Sequence, residues 1–290
     1  MKKPYTPYLL LLPFFVLMTL ILISIWNVLL QSLGYIPAFG LTTLTLDYYK
    51  AVFQQDSFVS ALGVSLHIAF TSAILATILG VLLCYALVKR HHTKGGLLYM
   101  VRLPILMPHA VVAIFVVNLF SQTGLFARMA YAAGWIADFS QFPQFLYTES
   151  YSGAILAYLW KEIPFVAYFV LALMSSISDT LGEAAENLGA SPWRSFFQIT
   201  LPMSMPAILK AFLIIFIFAF GGYELPYLLG TTVPKALPVQ AYVAYTAPNL
   251  RDRPLAMAMN AVILLLSLGV SLLFGLLMGK ISKQTGAEER

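Results

Sequence analysis

Residues 178–202 read SDTLGEAAENLGASPWRSFFQITLP, a polar interval set between the apolar runs 151–177 and 203–230. Asp179 or Thr180 is placed to cap a short helix whose first turn is acidic, which complements the positive helix end. Gly189 falls where a left-handed C-terminal cap is needed. Ser191 then caps a second helix, with Pro192 in its first turn, where a missing N–H costs nothing. Pro202 and Pro206 mark the return to the apolar run. The expected form is helix, tight turn, helix, with Leu188, Trp193, Phe196 and Phe197 exposed among charged neighbours. An ordinary connecting loop is the plainer reading. Exposed apolar groups on a small helical element instead describe a knob for a partner's groove.

Outward from this interval the chain is dominated by apolar runs. Of its 290 residues 60% are hydrophobic and 10% charged, and the mean hydropathy is +0.83. Soluble domains carry about 25% charged residues, so much of this exterior must face lipid. Crossing the hydrocarbon core takes roughly 20 apolar residues in a helix. Runs of that kind lie at about 8–30, 61–88, 103–120, 151–177, 203–230 and 255–279. They lack the strict alternation of barrel strands and are too long for them. The fold class is therefore an all-α membrane protein, a bundle of six transmembrane helices, read as a single transmembrane domain over 1–290. The first run follows two lysines as a secretory signal does, but it exceeds the usual length of about 7–15 residues and lacks a cleavage site, so it is read as an uncleaved span.

With six spans both termini share a side. Lys2, Lys3, Lys89, Arg90, Lys94, Arg102, Arg194, Lys210, Lys280, Lys283 and Arg290 fall there, against Lys50, Arg128, Lys235, Arg251 and Arg253 on the other. The positive-inside rule puts the termini and 178–202 in the cytoplasm. Loops 31–60 and 122–150 are then external, with room for short surface helices. Loop 231–254 contains Pro234, Pro238, Pro248 and Pro254, which argues against a regular helix. The net charge of +5 forms no polybasic stripe, so nucleic acid is not an expected partner. The single cysteine, Cys84, excludes an internal disulfide.

Glu183-Ala184-Ala185, then three residues, Gly189, nine residues, Ile199, one residue and Leu201-Pro202 resemble the EAA motif of permease subunits of bacterial binding-protein-dependent ABC importers, of the type I fold. The motif stands between the fourth and fifth spans, as in that family. The resemblance implies that 178–202 is the coupling loop inserted into an ATPase subunit, with Glu183, Ala184, Ala185 and Gly189 in that role and Trp193 and Arg194 beside them. It implies a second homologous permease (a different chain), an ATPase dimer and an extracytoplasmic solute-binding protein, in the bacterial inner membrane. ATP and magnesium would belong to the ATPase. The chain itself has no P-loop: the run from Gly275 to Lys280 has the wrong spacing and Ile281 in place of the hydroxyl residue. Gly275 and Gly279 read better as a small-residue packing face.

Ionisable residues inside spans mark candidate pathways. Lys161 and Glu162 lie in the fourth run, with Pro164 shortly after, and Glu224 lies near the outer end of the fifth. Gly221-Gly222-Tyr223-Glu224-Leu225-Pro226-Tyr227 looks like a broken helix, which lipid tolerates only where it lines protein or water. A translocation pathway past Trp160, Lys161, Glu162, Tyr223 and Glu224 is one reading; a structural ion pair with packing kinks is the other. Lys161 and Glu162, being adjacent, cannot share one helix face. His67, His91, His92 and His109 have no metal-ligand spacing, and no catalytic set is visible. A secondary transporter would show internal repeats, and a membrane enzyme a cluster of acids and bases. Trp160-Lys-Glu-Ile-Pro-Phe and the segment from Pro234 to Pro254 look most like the spermidine/putrescine type, with sugar, phosphonate, thiamine or iron as alternatives.

Overall fold

The computed structural model describes residues 6–90, 92 and 95–284. Lys2, Lys3, His91, Lys94 and Arg290 lie outside the described residues, as do the side chains of Lys280 and Lys283. In chain order the helices are α1 (Thr6–Ser32), α2 (Asp47–Gln54), α3 (Asp56–Lys89), α4 (Gly96–Leu106), α5 (His109–Phe120), α6 (Leu125–Ala132), α7 (Ser152–Ile177), α8 (Glu183–Asn187), α9 (Pro192–Ser195), α10 (Leu201–Gly221), α11 (Glu224–Leu229), α12 (Leu237–Tyr245) and α13 (Arg253–Gln284). Among the described residues six stretches are long and apolar enough to cross a membrane: Tyr8–Ser32, Asp56–Lys89, His109–Ala132, Ser152–Asn187, Pro192–Gly221 and Leu250–Gly279. Among the described residues the β structure amounts to one isolated bridge, Ile36 to Leu41. The all-α, six-span class holds.

Three local expectations need correction. The run 103–120 is not one helix: α4 ends at Leu106, Met107 is extended, and α5 starts after Pro108. The residue before a proline is pushed out of the helical region, which accounts for the break. Loop 231–254 does hold a helix, α12. Its proline, Pro238, falls in the first turn, where no N–H is needed. Asp179 and Thr180 cap nothing, because α7 runs through a π-helical turn, Ser178–Gly182, straight into α8. Asp179 instead accepts from Ser175 Oγ at 3.2 Å, and Thr180 Oγ1 donates to the Ser176 carbonyl at 2.8 Å.

The chain forms two compact units, Met1–Val59 with Gln240–Leu265, and Ser60–Val239 with Leu266–Arg290. In the first, α1 presents an apolar surface with no buried residue in its most apolar stretch. It is tied down at its end, where Ser32 and Tyr49 hydroxyls bond at 2.7 Å. Gln240 Nε2 donates to Ser57 Oγ at 2.8 Å, and the Arg253 guanidinium lies over the rings of Phe39 and Tyr245.

The second unit is organised on α7, which packs against α4, α5, α10 and α11. Between helices in lipid there is little hydrophobic driving force, so close approach of small residues carries the packing. On α3, Ala69, Ala73, Ala76, Gly80 and Cys84 recur at helical spacing, and the three alanines and the cysteine are fully buried. A Cβ on Gly80 would stand 2.7 Å from Val166 Cβ and 2.8 Å from the Ile163 carbonyl of α7. Gly275 and Gly279 of α13 have nothing within 4 Å of such a Cβ in this chain.

Candidate functional site

The helical elbow at 178–202 is built from short-range rules. At Gly189 the backbone turns left-handed, φ +92°. Its N–H reaches the Glu186 carbonyl at 2.9 Å, and the Ala190 N–H reaches the Ala185 carbonyl at 3.0 Å, closing α8 as a glycine cap does. Ser191 Oγ accepts from the Arg194 N–H at 3.3 Å and Pro192 opens α9. Ser195 Oγ donates to the Gly182 carbonyl at 3.2 Å, fastening the second arm to the root of the first. A second π-helical turn, Phe196–Thr200, then leads into α10.

The surfaces divide unequally. Leu188, at the bend, is 90% exposed, and Trp193 and Phe197 are exposed and stacked on each other at 5.7 Å. Phe196, expected outside, is 2% exposed. Its ring is drawn in against Tyr85 of α3, 4.3 Å between centroids, and Trp193 rests on the same tyrosine at 4.9 Å. Adjacent helical residues face different ways, which sends Phe196 inward as Phe197 stays out. Glu183, Ala184 and Arg194 are exposed and Ala185 half-buried. Arg194 Nε donates to Gln198 Oε1 at 3.1 Å. A cavity of about 210 Å³ opens between the arms and α3, bordered by Lys89, Asp179, Glu183 and Glu186. Tyr85, the platform under the elbow, has no local signal beyond its place one turn before Lys89.

A second polar cluster lies deeper in the same unit. The helix break expected near Gly222 is present: α10 ends at Gly221, Gly222 is extended, and Glu224 opens α11. A Cβ on Gly222 would collide with the Tyr158 hydroxyl, so α7 approaches the break through a gap that only glycine leaves. The two breaks are cross-linked: His109, first residue after one, is bonded through Nδ1 to Oε2 of Glu224, first residue after the other, at 2.7 Å. No local signal marks His109 as the partner of Glu224, which lies 115 positions away in the chain.

Of the five expected pathway residues, the structure brings some together and separates others. Lys161 Nζ donates to the Met107 carbonyl at 2.6 Å, satisfying the end of α4 at the first break. Glu162 is 3% exposed, and neither of its oxygens has a hydrogen bond; Ser72 is beside it without normal bonding geometry. No Lys161–Glu162 ion pair forms. Tyr158 lies within electrostatic reach of both Glu162 and Glu224. Trp160 lies tilted against Phe115, 5.3 Å between centroids, and Tyr223 is exposed beside Glu224. Pro164 does not interrupt α7.

The described residues thus combine six apolar, membrane-length helices, two helix breaks and a two-armed polar elbow. The family of binding-protein-dependent transport system inner membrane components matches residues 76–284, and the chain belongs to that family. It is a multi-pass inner-membrane protein. The putrescine transport system permease protein PotI of Escherichia coli (strain K12) is 32% identical over 171 residues, 58% of this chain and 55% of that one. The match thus spans little more than half of PotI. The sulfate transport system permease protein CysT of the same strain is 27% identical over 229 residues, 79% of each chain. A crystal structure of a bacterial ABC transporter involved in import of the acidic polysaccharide alginate shares the fold, with TM-score 0.78 at 23% identity over 97% of both chains.

Proposed function

We propose that this chain is the transmembrane permease subunit of an ATP-driven ABC importer, forming half of a translocation pathway for a small solute delivered by an external binding protein. The observation that carries the reading is the elbow: two short helical arms, rigidly capped, that leave Leu188 and Trp193 uncovered on a family member of this fold. Glu183, Ala184, Ala185, Gly189, Trp193 and Arg194 form the face that inserts into an ATPase subunit. The unbroken run from α7 through the π-helical turn into α8 supports a lever function, because a rigid rod carries a displacement of the elbow to Tyr158, Lys161 and Glu162. The remaining partners are a second, homologous permease chain and the other ATPase subunit. ATP and magnesium bind to the ATPases, and both termini lie in the cytoplasm.

The pathway runs past Trp160, Lys161, Glu162, Tyr223 and Glu224, and the solute is of the polyamine type. One buried carboxyl without a hydrogen-bond partner, Glu162, supports a cation, and the likeness to a putrescine permease agrees with it. Cys84 is buried, so a Leu188→Cys chain carries one reactive thiol. Cross-linking from it should capture an ATPase in intact membranes. Capture of nothing, or labelling of the introduced thiol from the external side only, would overturn the assignment.

A further inference from the structure

Glu162 borders an apolar hollow, with both carboxylate oxygens covered. The cavity measures about 170 Å³ and is walled by Ile105, Phe165, Ile214, Ile215 and Phe218. Ile214 and Phe218 are half exposed, so the hollow opens on that face of α10. A carboxylate buried without partners at membrane depth is expensive, and such groups face a binding function or a cavity. Lys161 also borders the hollow, but its ammonium is committed to the Met107 carbonyl. His109 is engaged with Glu224. Neither neighbouring base therefore compensates Glu162.

The shape of the site selects its ligand. An anion opposes ionisation of this carboxyl in low dielectric, whereas an ammonium beside it stabilises the charged form. A sugar needs many hydrogen-bond partners, and these walls provide none. An ammonium group carried on an alkyl chain fits both halves: charge on Glu162, methylenes on isoleucine, and the faces of Phe165 and Phe218 for a cation near the mouth. The hollow has room for a short alkyl chain. We propose that this cavity is an ammonium-binding subsite on the solute's path, with Glu162 as its specificity-determining residue and linear alkylamines as its ligand class. The inference rests on the importer reading and deepens it.

The test uses the intact complex purified with its partner subunits, without the external binding protein. Equilibrium dialysis with labelled 1,4-diaminobutane should show saturable binding, displaced by n-butylamine and not by n-butanol. Glu162→Gln should weaken binding about 10- to 100-fold, as expected for loss of a charged hydrogen-bond partner. Ile214→Trp, which fills the mouth and leaves the carboxylate intact, should weaken it comparably and guards against a misfolded Glu162→Gln. Equal binding by both variants, or displacement by n-butanol, overturns the subsite. So does a complex that takes up another solute with ATP but binds no diamine, and there the importer reading survives. A chain that purifies without any ATPase fails one step earlier and removes both.

Discussion

The elbow at 178–202 and the seam between α3 and α7 both depend on glycine, for opposite reasons. Gly189 stands in open space, with nothing within 4 Å of an added Cβ, and is needed because its φ is +92°. Gly80 has an ordinary backbone and is needed because α7 lies against it. The first is a conformational requirement, local to the chain; the second is steric, imposed by residues more than eighty positions away. The elbow is held together by its own turns and leaves Leu188 and Trp193 uncovered. A seam inside the bilayer is held by shape, because lipid supplies no hydrophobic drive between helices.

Substitutions at the two places should separate these causes. Gly80→Leu is expected to have the largest effect, forcing α3 from α7 at a cost of about 1–3 kcal/mol. Lower thermal stability of the detergent-solubilised protein would show it, and an unchanged melting temperature would break the steric account. Gly189→Val should strain the bend by about 1–3 kcal/mol with little loss of membrane-inserted protein. The readout is ATP-driven uptake, expected to fall tenfold or more; full uptake would mean that the angle of the elbow is irrelevant to coupling. Ser191→Ala removes the cap of α9 and should cost about 1 kcal/mol, read as faster amide hydrogen exchange confined to the second arm. The smallest change belongs to Gly275→Ala, within about 0.5 kcal/mol, since no group of this chain stands in its way. A larger loss there would identify α13 as a packing face for another chain.

The same contrast governs the polar residues. Arg194 and Ser191 find their partners within four positions, and both belong to the elbow. Lys161, Glu162 and Glu224 are placed by helices far apart in sequence. Lys161 turned out to close the carbonyl end of α4, and Glu224 to hold His109. Phe196 shows how far local reasoning extends: the helix was readable, but which of two adjacent phenylalanines turns inward depended on Tyr85 of α3.

Composition and apolar run length were enough to establish a helical membrane protein, because backbone groups in lipid must be paired within their own segment. Capping residues were enough to establish the elbow, because each cap acts over less than two turns, and the spacing from Glu183 to Pro202, all within one segment, carried the resemblance to its family. Tertiary structure alone decided that two broken helices meet, that Lys161 bonds Met107 and not Glu162, and that Glu162 borders an apolar hollow. Those facts are distances between helices, and the hydrophobic pattern of a lipid-facing helix carries little record of which neighbour it touches.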